Sequence, residues 1–126
     1  MPFYSLKPSN VLYSQDSIAS KFRSGRLIGE IRDDILDGII SVKDLPRIKV
    51  KLIDGKYVSA DNRRLWVLKE LERLGHHEHI EVIITTKKMD TKKSERTDQI
   101  KIRGGGPGGR STDIKKYDCK VMISEE

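Results

Sequence analysis

Ser59-Ala60-Asp61-Asn62-Arg63-Arg64-Leu65-Trp66-Val67-Leu68-Lys69-Glu70-Leu71 decides how the chain is read. The stretch has the pattern of a strand end, a tight turn and the first turns of a helix. Asp61 suits the N-cap, where its carboxylate would accept from the exposed amides of the first turn. Leu65, Leu68, Leu71 and Leu74 recur at helical spacing and define one buried face. Arg63 and Arg64 stand where the helix dipole disfavours cations, by roughly 0.3–1 kcal/mol each. An anion on the same amides removes that cost. Free N–H groups and two guanidinium forks together make a phosphate site. The alternative is that both arginines point into water or pair with Asp61 or Glu70.

Upstream of this stretch, Ile48, Val50 and Leu52 alternate with Arg47, Lys49 and Lys51, the pattern of a half-buried strand. Asp54-Gly55 is the strongest hairpin signal in the chain, and Tyr57-Val58-Ser59 returns as its partner. Before Pro46, which excludes a continuing helix, Leu27, Ile28, Ile31, Ile35 and Leu36 share one helical face up to Gly38. Glu30, Arg32, Asp33, Asp34 and Asp37 fall mostly on the other face. Asn10–Tyr13 is a short apolar strand candidate. Ser14-Gln15-Asp16-Ser17-Ile18-Ala19-Ser20-Lys21-Phe22 is read as a capped turn or a short helix that buries Ile18 and Phe22. Residues 1–9 hold two prolines and no period, so they read as an arm.

Downstream, the helix ends near Gly75 and Ile80–Thr86 is a strand. His76-His77-Glu78-His79 reads as a polar turn, because consecutive residues do not converge on one ion and no second ligand cluster has zinc spacing. Arg103-Gly104-Gly105-Gly106-Pro107-Gly108-Gly109-Arg110 lacks the glycine spacing and Lys-Ser/Thr ending of a Walker loop. A mobile linker is the reading taken, with a phosphate-contacting loop as the alternative. Val121 and Ile123 suggest a final strand within 113–123.

The 126 residues allow one domain with a real core. No apolar run approaches the ~20 residues of a membrane span, and the first residues lack a signal peptide's apolar core. Cys119 is the single cysteine, which excludes an internal disulfide and fits a reducing, intracellular compartment, cytoplasm or nucleus. Of the net charge of +6, residues 1–86 hold 14 Lys/Arg against 12 Asp/Glu, whereas residues 87–120 hold 11 against 5. The excess sits in the late segment, which suggests an acidic partner there, or a solvated loop.

The order of elements, with Ala60-Asp61-Asn62-Arg63-Arg64 at its centre, resembles the N-terminal domain of the ParB/sulfiredoxin-like superfamily. Members carry Gly-Glu-Arg-Arg or Gly-Gly-Cys-His-Arg at that place, followed by a hydrophobic helix and a strand at similar distance. The resemblance covers roughly residues 10–86. It implies that Arg63 and Arg64 sit at nucleotide phosphates and that the polar stretch from Ser14 to Ser20 helps line the pocket. Asn62 stands where sulfiredoxin has its catalytic cysteine, so sulfinic acid reduction is not expected. There is no room for the helix-turn-helix region of ParB, so site-specific DNA reading is not expected either.

The fold expected is α/β or α+β: a single small domain with a mixed sheet flanked by two or three helices. Its parts are an arm over 1–9, the ParB/sulfiredoxin-like domain over 10–86, and a basic, Gly-rich segment over 87–126. Asp61, Asn62, Arg63, Arg64, Ser14, Gln15, Ser17 and Lys21 are the candidate phosphate or nucleotide ligands. Lys87, Lys88, Lys92, Lys93, Arg103 and Arg110 are the candidate nucleic-acid contacts. A nucleoside triphosphate and Mg are the candidate cofactors. Three functions follow: a nucleotide- or phosphate-binding module that engages nucleic acid through the basic segment, a phosphotransferase or nuclease on the same pocket, and a silent interaction domain. Turnover needs a base, for which Asp16, Glu30 and Asp61 are the candidates.

Overall fold

A computed structural model describes residues 3–76, 79–85, 97–104 and 106–108. Seven strands and two helices occur among them: β1 (Phe3–Leu6), β2 (Val11–Leu12), β3 (Ser17–Ala19), α1 (Ile28–Leu36), β4 (Ile48–Ile53), β5 (Lys56–Ser59), α2 (Asn62–Arg73), β6 (Ile80–Ile84) and β7 (Lys101–Arg103). Five strands form one mixed sheet in the order β1-β6-β4-β5-β2, and β3 and β7 form a separate two-stranded ribbon. This is a small mixed-sheet domain with two helices.

The β4–β5 hairpin is the part most directly dictated by sequence. Its register pairs Val50 with Ser59 and Ile53 with Lys56. Asp54 and Gly55 take φ of +50° and +82°, and positive φ at both central residues is what a type I′ turn requires. β6 lies parallel to β4, pairing Ile48 with Val82 and Val50 with Ile84. Both helices end in the same way. Gly38 and Ile39 donate to the carbonyls of Ile35 and Asp34, and Gly75 and His76 donate to those of Glu72 and Leu71. These are Schellman closures, which satisfy last-turn carbonyls that the helix leaves unpaired.

The core joins Ile28 and Ile35 of α1 to Leu65, Val67, Leu68 and Leu71 of α2, over Val11, Ile48, Val50 and Val82 of the sheet. Arg32 interrupts this apolar contact. Alternation along α1 assigns Arg32 and Asp33 to the solvated face, yet they are only 1% and 5% exposed. The Arg32 guanidinium stands 5.3 Å from the Trp66 ring centroid. Its Nη1 donates to Glu70 Oε1 at 2.7 Å, and its Nε donates to Asp33 Oδ1 at 3.2 Å. Among the described residues, Nη2 finds no partner.

Several local expectations are corrected. The N-terminal arm is a strand from Phe3, antiparallel to β6. It continues into a 3₁₀ turn over Pro8–Asn10, where the Ser9 amide and hydroxyl donate to the two Glu72 carboxylate oxygens. The stretch from Ser14 to Phe22 contains a strand, β3, rather than a helix or turn alone. The glycine run read as a linker begins at Arg103, the last residue of β7, whose parallel pairing with β3 supplies hydrogen bonds that composition alone does not reveal. The strand expected over 113–123, along with Cys119 and His77, lies outside the described residues.

Glu70 also accepts from Arg73 Nε and Nη2. Glu70→Ala should leave the buried Arg32 with Asp33 alone and destabilise the fold by about 3 kcal/mol, the low end for breaking a buried pair. Urea unfolding of the variant measures this. A loss under about 1 kcal/mol would reduce the contact to a surface ion pair.

Candidate functional site

The hairpin delivers the chain to Asp61, and the turn into α2 opens onto a cleft of about 830 Å³. Ala60, Asp61, Asn62, Arg63 and Arg64 form one side. Gln15, Ile18, Ala19, Phe22, Arg23 and Ser24 come from the segment around β3. Ile31 of α1, Leu45, Pro46 and Arg103 complete the lining. Among the described lining residues, four arginines thus stand with a single acid.

Asp61 occupies the N-cap position, with φ −123° and ψ 73°, but its carboxylate does not cap α2. Oδ2 accepts from the Lys49 amide at 2.7 Å, and Oδ1 accepts from Arg64 Nη2 at 3.1 Å. The acid extends the β4–β5 junction, where the Ala60 amide donates to the Lys49 carbonyl. Capping is corrected for that reason, and the first amides of α2 are left without a side-chain acceptor.

The two arginines are anchored by backbone carbonyls. Arg63 Nη1 donates to the Lys21 carbonyl at 2.8 Å. Arg64 Nη1 donates to the carbonyls of Pro46 and Arg47 at 3.0 and 3.2 Å. A carbonyl orients a guanidinium without neutralising it. Among the described residues, Arg63 in particular has no acid partner at the cleft wall.

Asn62 ties the first strand segment to the helix start. Its Oδ1 accepts from the Ser14 amide at 3.0 Å, and its Nδ2 donates to Ser14 Oγ at 3.0 Å and Gln15 Oε1 at 3.3 Å. Ser14 is buried by this contact and does not line the cleft, whereas Gln15 does. Nearby, Lys69 Nζ sits 4.5 Å over the Tyr13 ring centroid. Burial raises the Tyr13 pKa, and the charge of Glu70 adds to the effect. Burial lowers that of Lys69 against the opposing charges of Asp98 and Glu72.

The remaining candidates fall elsewhere. Ser17 Oγ accepts from Arg103 Nη1 at 2.7 Å, so it holds a cleft residue without lining the cleft. Lys21 contributes its carbonyl to Arg63, and its side chain is not part of the lining. Asp16 does not line the cleft; its carbonyl accepts from the Lys101 amide. Glu30 is turned back on its own helix, where Oε1 accepts from the Leu27 amide and pairs with Arg26. Of the residues assigned to nucleic-acid contact, Arg103 belongs to the cleft, and Lys87, Lys88, Lys92, Lys93 and Arg110 lie outside the described residues.

Arg23 and Phe22 are functional candidates that the sequence reading passed over. They ride on a tight loop in which Gly25 donates to the Phe22 carbonyl and Phe22 to that of Arg26. A basic run closed by a glycine, Lys21-Phe22-Arg23-Ser24-Gly25-Arg26, was the available signal. Among the described residues, no group of three histidines, cysteines or acids is placed to hold a metal ion. No described helix is long and apolar enough to cross a membrane.

Asn62→Ala should leave the buried Ser14 amide and hydroxyl without their partners, at about 1–3 kcal/mol. Denaturant unfolding of Asn62→Ala, Ser14→Ala and the double variant measures the coupling. Strictly additive losses would mean that the two side chains do not act as one clasp.

Comparison of the chain with protein-family models, with curated proteins and with solved structures finds no match.

Proposed function

We propose that the chain is a phosphate-binding module that takes a nucleotide or another organic phosphate in the cleft at the start of α2. One observation carries this reading: Arg23, Arg63, Arg64 and Arg103 line a single cleft, with Asp61 as the only acid among the described lining residues. Guanidinium groups match phosphate oxygens in planar, bidentate geometry. The uncapped amides of α2 add partial positive charge at the same end. The resemblance of Ala60–Arg64 to the ParB/sulfiredoxin-like motif supports the same assignment.

A nucleoside triphosphate fits the cleft in size, since small-molecule sites run from ~300 to ~1,000 Å³. It also fits in character. Ile18, Phe22, Ile31 and Leu45 offer an apolar wall for a base, and the arginines offer the phosphate end. Mg would arrive on the phosphates themselves, because such ions are held largely by substrate oxygens with one or two carboxylates.

Binding is preferred to turnover. Asp61 is engaged by Lys49 and Arg64, Glu30 by Leu27 and Arg26, and Asp16 stands outside the lining. A general base has to reach the proton it removes. For the basic segment 87–120, the charge excess supports contact with nucleic acid. Phosphotransfer, nuclease activity and a silent domain are the competing outcomes of the tests below.

Arg63→Ala should weaken binding of ATP or inorganic pyrophosphate by roughly 1.5–3 kcal/mol, the range for charged hydrogen bonds. Isothermal titration measures the loss, and incubation of any bound nucleotide tests for turnover. Unchanged affinity in Arg63→Ala, Arg64→Ala and the double variant would remove the site assignment.

For the basic segment, neutralising Lys87, Lys88, Lys92 and Lys93 should flatten the slope of log affinity against log salt. The change should approach four contacts at about 0.9 each. Fluorescence anisotropy on random-sequence DNA and RNA measures it. Absence of binding at low salt by the unaltered chain would discard the nucleic-acid half of the proposal.

A further inference from the structure

Residues 97–104 and 106–108 return across the start of α1 along a path shaped to receive them. Thr97 and Tyr13 exchange backbone hydrogen bonds at 2.7 and 3.1 Å. The Lys101 amide donates to the Asp16 carbonyl at 3.0 Å, and β7 follows β3 for three residues. Farther along, the Gly29 amide donates to the Pro107 carbonyl at 2.8 Å. Gly29 lies in the first turn of α1. A Cβ there would clash with the Gly108 carbonyl oxygen and stand 2.8 Å from that of Pro107. The missing side chain is what admits the strap.

The ladder is only three residues long, which is far from stable alone, and Ile100 and Ile102 add apolar packing against the core. What the strap contributes to the site is Arg103. Its Nη1 is aimed by Ser17 Oγ, and the residue lines the cleft beside Arg23, Arg63 and Arg64. Three of the four arginines belong to the β3–α1 loop and to α2. The fourth reaches the cleft only when the strap is seated.

We propose that this strap is a ligand-coupled clasp: Arg103 is an anion ligand of the cleft, and occupancy by a polyphosphate and docking of the strap on Gly29 stabilise each other. The proposal rests on the phosphate-binding reading above. Without an anion, Arg103 approaches three like charges and one carboxylate already engaged by Arg64. A bound polyphosphate reverses the sign of that approach. Coupling of this kind is reciprocal, so the ligand tightens the strap by the factor with which the docked strap tightens the ligand.

Inorganic tripolyphosphate and the full chain test the clasp. Amide hydrogen exchange is followed at Gly29 and Lys101, whose hydrogen bonds to Pro107 and Asp16 exist only with the strap docked. Saturating tripolyphosphate should slow both amides about 10-fold, within the usual range of coupling. Gly29→Ala and Arg103→Ala should each weaken tripolyphosphate binding about 10-fold. Arg103→Ala should also abolish the ligand-dependent slowing. If Gly29→Ala does not fold, Arg103→Ala, at an exposed position, carries the comparison. If the unaltered chain fails to bind tripolyphosphate, the phosphate reading and the clasp fall together. If it binds, Arg63→Ala weakens binding, and yet neither amide responds and Arg103→Ala binds normally, the clasp alone is overturned.

Discussion

Among the described residues, Arg32 is the largest side chain less than 2% exposed, and it lies where the two helices meet. Taking a guanidinium out of water costs several kcal/mol unless its donors are met. Glu70 and Asp33 meet two of them, and the Trp66 ring covers the guanidinium. An apolar contact between helices tolerates sliding and rotation. A guanidinium fork on a carboxylate does not, because its hydrogen bonds are directional. The pair therefore sets how α2 is turned relative to α1, and with it where the first turn of α2 faces. Leu65, Leu68 and Leu71 supply the attraction; Arg32 and Glu70 supply the registration.

The same logic, inverted, operates at the cleft. Arg32 is matched with acids, whereas Arg63 is matched with a carbonyl and Arg64 with two carbonyls and one acid. Carboxylates stabilise a cation and cancel its field. Carbonyls hold the group in place and leave most of the field standing. The molecule thus contains two kinds of arginine, one structural and neutralised, the other oriented and still charged. That distinction, more than the number of basic residues, is what the proposed phosphate site rests on.

How much of this was legible in the chain depends on the range of the interaction. The hairpin at Asp54-Gly55, the helix from Asn62 and the glycine ends of both helices follow from local chemistry, and each lies where the residues place it. Arg63 and Arg64 at the start of α2 were equally local. What depended on residues far apart was not legible. Asp61 left its capping role for the Lys49 amide, a partner 12 residues away. Arg32 looked solvated because nothing in α1 indicates that Trp66 and Glu70 will cover it. Ser14, a natural candidate for the pocket, is consumed by Asn62. The segment around Arg103 resembled a linker because its glycines are unfavourable in any element considered alone; the groove beside Gly29 that rewards them belongs to another part of the chain.

The pairing of β3 with β7 has a bearing on how the molecule assembles as it is made. Ser17 and Arg103 are 86 residues apart, and closing so long a loop is among the slower steps a small domain takes. During synthesis the hairpin, both helices and β6 can associate while the later residues are still inside the ribosome. Ile18 already belongs to the core at that stage, but Ile100 and Ile102, which pack on it, have not arrived. The nascent domain would pass through a form that has its registered helices and three of its four cleft arginines, with one apolar edge open to water. Among the described elements the cleft is therefore the last to be completed, and β7 serves as the cover of that edge as well as the carrier of the fourth arginine.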